Sequence, residues 1–109
     1  MLLVYLLDDE KVLCDIFAEY FHSNMTTVHT FTDAEQAICA CKEIPPDIFF
    51  IDYRLPNITG DEVAISVSES IPKILMTGDL SVEAKYKFQR VISKPYHFHE
   101  IQKVLDDYI

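Results

Sequence analysis

A chain of 109 residues and 12.6 kDa, 50% apolar and 25% charged, has the material for one domain with its own hydrophobic core. That composition excludes a disordered chain and a multidomain enzyme. Eighteen acidic against nine basic residues give a net charge of −9, which repels phosphate backbones and anionic lipid, so no direct nucleic-acid or membrane binding is expected.

Met1 to Leu7 is apolar and runs directly into Asp8, Asp9 and Glu10. It lacks the basic start and the length of a signal peptide and falls far short of the roughly 20 apolar residues of a membrane span. A cytoplasmic protein is expected. Leu2 to Leu7 reads as a strand buried on both faces of a parallel sheet. Leu13, Ile16, Phe17, Tyr20 and Phe21 then recur at helical steps and predict one buried helix face. Thr27 to Phe31 reads as a second strand. Thr32 to Glu35 has the form of a capping box, followed at helical spacing by Ala34, Ile38 and Cys41. Pro45 and Pro46 end that helix.

Ile48 to Ile51 is the most apolar short run and is expected to be the central strand. Leu55 to Gly60 is a turn with Pro56 and Asn57. Asp61 to Ser70 predicts a short third helix, Lys73 to Met76 a fourth strand, Ser81 to Gln89 a weakly amphipathic fourth helix, and Arg90 to Ser93 a fifth strand. Phe98, Ile101, Leu105 and Tyr108 mark the inner face of a C-terminal helix. Cys14, Cys39 and Cys41 lack zinc-ligand spacing and read as small buried apolar residues, with Cys39 and Cys41 on different sides of their helix. The four histidines, His22, His29, His97 and His99, lack ligand spacing too and suit surface or capping positions.

Five strands alternating with five helices predict an α/β fold, a doubly wound three-layer sandwich around a five-stranded parallel sheet. Ligands in that class bind beyond the carboxyl ends of the strands, where the strand order reverses. The residues due there are Asp8, Asp9 and Glu10, Asp52, Thr77, and Lys94 with Pro95. An acid at a strand end is often only a helix cap. Asp52, directly after Ile48 to Ile51, sits where an unpaired charge is costly and calls for a cation or hydrogen bonds. Clustered carboxylates suit a hard divalent cation, Mg2+ above all, which keeps waters and a place for a phosphate oxygen. Lys94 and Thr77 would serve the remaining oxygens of a phosphoryl group.

The set Asp8-Asp9, Asp52, Thr77 and Lys94-Pro95, with the segment from Ile51 to Gly60, resembles the receiver domain of two-component response regulators, typified by the chemotaxis response regulator. The resemblance spans Leu2 to Ile109 and implies a flavodoxin-like single receiver domain over residues 1–109. It implies that Asp52 takes a phosphoryl group from a phosphohistidine of a sensor histidine kinase or phosphotransfer domain. Asp8, Asp9, Asp52 and the backbone carbonyl of Arg54 would hold Mg2+, or Mn2+ in its place. Thr77 would follow the phosphoryl group, Lys94 would pair with it, and the Lys94-Pro95 peptide would be cis. The output partner is left unnamed and a homodimer is left open.

Three departures from the family pattern accompany this. The position of the family's switch aromatic is Val91, so the usual coupling with Thr77 cannot run in its common form. The spacings from Asp52 to Thr77 and from Thr77 to Lys94 are each short by about one helical turn, which implies shortened third and fourth helices. Arg54 and Asp79, two residues beyond Asp52 and Thr77, border the phosphoryl position and could pair. Two alternatives stay open. One is a degenerate receiver that binds partners without phosphorylation. The other is a small phosphatase of the haloacid dehalogenase type, which would need an acid where Arg54 stands. Phosphorylation by acetyl phosphate with Mg2+, lost in Asp52→Asn, separates them from a working receiver.

Overall fold

The computed structural model describes residues 1–79, 81 and 84–109. The main sheet consists of β1 (Leu2–Leu7), β2 (Thr26–Phe31), β3 (Ile48–Asp52), β6 (Lys73–Thr77) and β7 (Arg90–Ser93). All are parallel, in the order β2-β1-β3-β6-β7. The central position of β3 follows from its composition, since every residue of Ile48–Asp52 is buried. Side chains alternate in both inner strands. Val4, Leu6, Ile48 and Phe50 serve one face of the sheet, and Tyr5, Leu7, Phe49 and Ile51 the other.

Helices α1 (Lys11–Phe21) and α4 (Phe98–Asp106) cover the first face through Cys14, Phe17, Phe21, Ile101, Val104 and Leu105. Helices α2 (Ala34–Glu43) and α3 (Gly60–Ile65) cover the second through Ala37, Cys41, Val63 and Ala64. The chain is thus the three-layer α/β sandwich expected, with strand order reversing between β1 and β3.

Five expectations need correction. The buried side of α1 is centred on Cys14, Phe17 and Phe21, while Ile16 and Tyr20 are exposed. The apolar stripe is broader than the contact, and the sheet takes only the middle of it. Helix α2 starts one residue later than a Thr32 cap implies, because the Asp33 carboxylate accepts the Gln36 N–H at 3.0 Å. Cys39 is exposed, whereas Cys14 and Cys41 are buried, and all three are free thiols. Helix α3 ends at Ile65, several residues before Ser70.

The fourth helix is absent among the described residues of 81–89; the expected span also includes Val82 and Glu83, which lie outside them. Instead of a helix, an irregular segment sets Tyr86 and Phe88 against the second face, their rings 5.0 Å apart and edge-to-face. Polar anchors replace the helical ladder. The buried Asp61 carboxylate accepts the N–H groups of Lys85 (2.9 Å) and Tyr86 (3.3 Å). The expected turn after β3 is a tight hairpin of β4 (Arg54–Leu55) and β5 (Ile58–Thr59), with Asn57 at φ 65°, a left-handed geometry that asparagine tolerates.

Candidate functional site

The carboxyl ends of β1, β3, β6 and β7 meet at one edge of the sheet. The apolar run of β1 delivers Asp8, which is fully buried, and the exposed Asp9. One Asp8 oxygen accepts the Glu10 N–H at 2.9 Å and so fixes the turn into α1; the other accepts Lys94 Nζ at 2.9 Å. Asp52 closes β3 with 10% of its side chain exposed, and Lys94 Nζ lies 3.3 Å from its Oδ1. Oxygens from Asp8, Asp9 and Asp52 all lie within 4.8 Å of one another. Thr77 closes β6, opposite Ser93 of β7, and its carbonyl accepts the Lys94 N–H at 2.8 Å. The Lys94–Pro95 peptide bond is cis.

Burial pushes the Asp52 carboxyl up to about 6; the adjacent Lys94 ammonium works against this, and Asp8 and Asp9 add to it. For Lys94, burial disfavours the charge. The hydrogen bond to Asp8 and the attraction of Asp52 outweigh it and hold the ammonium above its ordinary pKa. A single ammonium faces three carboxylates here. Hard oxygen donors packed this closely, two of them buried, have the chemistry of a divalent-cation site.

Asp8, Asp9, Asp52 and Lys94 are therefore in one cluster, with Thr77 beside it. The Arg54 guanidinium pairs with the Asp79 carboxylate, as their places two residues beyond Asp52 and Thr77 allow, and joins the loop after β3 to the loop after β6. Val91 stands apart from the cluster on β7, 54% exposed, in register with Leu75.

Some participants carry no local signal in the sequence. Gly60 packs against the back of the site, where an added Cβ would meet the Asp52 carbonyl oxygen at 3.0 Å. Tyr96, half-buried beside Lys94, has a hydroxyl pKa raised chiefly by burial. Asp61 and Lys73 are buried polar residues whose partners lie in the segment before β7. In the sequence Gly60 is in view only as the end of the turn and of the Ile51 to Gly60 segment; that it packs behind Asp52 is set by the tertiary structure.

Solved structures share this fold. The response regulator TrrA of Thermotoga maritima, in complex with Mg(2+)-BeF, superposes with a TM-score of 0.87 at 20% identity, covering 100% of both chains. The chemotaxis response regulator CheY4 of Vibrio cholerae gives 0.86 at 20% identity, covering 100% of this chain and 99% of that one. Among curated proteins, the transcriptional regulatory protein TrcR of Mycobacterium tuberculosis is 30% identical over 82 residues, 72% of this chain and 32% of that protein. Transcription factor SKN7 of Saccharomyces cerevisiae is 23% identical over 114 residues, 97% of this chain and 18% of that protein. The chain spans less than half the length of these relatives. The family model of the response regulator receiver domain matches residues 4–106, and with the doubly wound fold already described the chain belongs to that family.

Proposed function

We propose that this receiver takes a phosphoryl group onto Asp52 from a phosphohistidine of a sensor histidine kinase or phosphotransfer domain. The observation that carries the reading is the buried Asp52 carboxylate, 3.3 Å from Lys94 Nζ and within 4.8 Å of Asp8 and Asp9 oxygens. An Asp52 oxygen attacks phosphorus as the bond from phosphorus to the histidine nitrogen breaks. The electron pair stays on the imidazole, and Asp52 becomes an acyl phosphate. Asp8, Asp9, Asp52 and the Arg54 carbonyl would hold Mg2+, with Mn2+ able to replace it. The ion supplies charge neutralisation for the phosphoryl oxygens.

Lys94 pairs with one phosphoryl oxygen, and the Thr77 hydroxyl donates to another. Hydrolysis by water, breaking the acyl phosphate, would return the carboxylate. The charge of −9 favours protein partners over nucleic acid. The reading takes residues 1–109 as one receiver unit acting in the cytoplasm. Partner affinity is the output.

A phosphorylation-independent binding module has no observation in its favour at the site, since acids, hydroxyl and ammonium are all in place. A phosphatase needs an acid at position 54, and Arg54 is there. The test is incubation with Mg2+ and acetyl phosphate followed by intact-mass measurement. One added phosphoryl group is expected, absent in Asp52→Asn and absent in chelator. No gain in mass for the parent chain would overturn the reading.

A further inference from the structure

The two loops that frame Asp52 are tied together through one residue. Asp79 Oδ2 pairs with the Arg54 guanidinium from the loop after β3. Asp79 Oδ1 accepts both the N–H (2.9 Å) and the hydroxyl (2.6 Å) of Ser81. The Asp79 N–H donates to Thr77 Oγ1 at 3.1 Å, and that hydroxyl in turn points to the Asp79 carbonyl at 3.4 Å. These hydrogen bonds, Ser81 before Arg54, hold the Asp79 carboxyl down at about 2.

Arg54, two residues beyond Asp52, is thus a cation held by an acid whose backbone hydrogen-bonds the Thr77 hydroxyl. Its side chain is 72% exposed, so the pair is screened by solvent and easily broken. A phosphoryl group on Asp52, two residues before Arg54, would offer the guanidinium a doubly charged, bidentate partner in place of Asp79. Resting on the phosphoacceptor reading, we propose that Arg54 exchanges partners. It is paired with Asp79 while Asp52 is free, and moves to the phosphoryl oxygens once Asp52 is modified, unlatching the segment that carries Asp79 and Ser81. The Thr77 hydroxyl, whose contact with the Asp79 carbonyl is long, turns to the phosphoryl group in the same event. The conformational signal then leaves through the loops after β3 and β6. Position 91 has no part in it, because Val91 is exposed on β7 and has no ring to bury.

Beryllofluoride with Mg2+, as a phosphoryl mimic on the full chain, tests the exchange by titration and amide NMR. In the parent, the Asp79 and Ser81 amides are expected to shift on binding, and those of residues 90–93 to shift less. Arg54→Ala should weaken the mimic about tenfold, the loss of one charge-assisted contact, with unchanged melting temperature. Arg54→Lys should recover part of the affinity, since it keeps the charge and loses the fork. Asp79→Asn keeps the Oδ1 acceptor for Ser81 but frees Arg54. It should bind the mimic several-fold more tightly and show the shifted Ser81 amide before the mimic is added. Parent-like affinity in Arg54→Ala, or weaker binding in Asp79→Asn, would overturn the exchange and leave the phosphoacceptor reading standing. Failure of the parent to bind beryllofluoride or accept a phosphoryl group would remove both.

Discussion

Lys73, at the start of β6, is fully buried and donates to the Tyr86 hydroxyl at 3.0 Å. Its ammonium also donates to the carbonyls of Ser68 (2.7 Å) and Ile71 (3.1 Å). One lysine therefore stitches the end of the chain after α3 to the segment that stands in for a fourth helix. Lys73→Met would fill the volume but strand two carbonyls and a phenol. It is expected to cost about 2–3 kcal/mol in urea unfolding, and Tyr86→Phe about 1 kcal/mol. A Lys73→Met variant as stable as the parent would show that these contacts contribute nothing net.

The raised pKa of Asp52 makes the metal-free fold sensitive to pH. Its folded value of about 6 lies above the ordinary 3.8, so the folded protein binds this proton more tightly than the unfolded chain. The contribution of Asp52 to stability therefore falls as pH rises through the window from 3.8 to about 6. Above it the ionised carboxylate destabilises the fold, by roughly 3 kcal/mol at most. In chelator, Asp52→Asn should be more stable than the parent at neutral pH, with the advantage shrinking on acidification toward pH 4. Equal stability of the two at neutral pH, or an advantage that grows on acidification, would contradict the repulsion.

Mg2+ should relieve that repulsion and stabilise the fold by mass action. At about a hundred times its Kd it would add about 2.7 kcal/mol, a rise in melting temperature on the order of 10 °C. Asp9 is exposed, so Asp9→Ala leaves the packing intact and should abolish most of the rise. A parent chain whose melting temperature ignores Mg2+ would count against the carboxylate cluster as a metal site.

Gly60 and Gly78 provide a matched pair. A Cβ at Gly60 would lie 3.0 Å from the Asp52 carbonyl oxygen, 3.0 Å from Leu75 Cδ1 and 3.1 Å from Tyr53 Cα. Backbone cannot yield as a side chain does, so Gly60→Ala should lose about 1–3 kcal/mol and slow phosphorylation by shifting the Asp52 peptide. At Gly78 the nearest atom is Lys94 Cβ at 3.8 Å, an ordinary contact, and Gly78→Ala should change stability by less than about 0.5 kcal/mol. Equal effects at the two positions would mean that crowding behind Asp52 is not what matters.

Much of the frame was legible because its causes are local. Apolar runs too short for helices, Leu2–Leu7 and Ile48–Asp52, mark strands buried on both faces, and the acids that end them fall at the sheet edge by chain direction alone. The order of Asp8, Asp52, Thr77 and Lys94 along alternating elements then implies their meeting. Three decisions belonged to the tertiary structure. Which part of the α1 stripe is buried depended on how the helix docks, since Ile16 and Tyr20 are as apolar as Cys14. Whether the residues before β7 coil into a helix depended on Asp61 and Lys73, whose partners in that segment, the N–H groups of Lys85 and Tyr86 and the Tyr86 hydroxyl, lie more than ten residues away in sequence. The pairing of Arg54 with Asp79 was open from their places two residues beyond Asp52 and Thr77, but that these charges, 25 residues apart, do meet depended on loop paths that no periodicity encodes. Hydrogen-bond ladders and alternating burial write themselves into neighbouring residues. The partners of a buried or bridging charge are set only when distant segments close on one another.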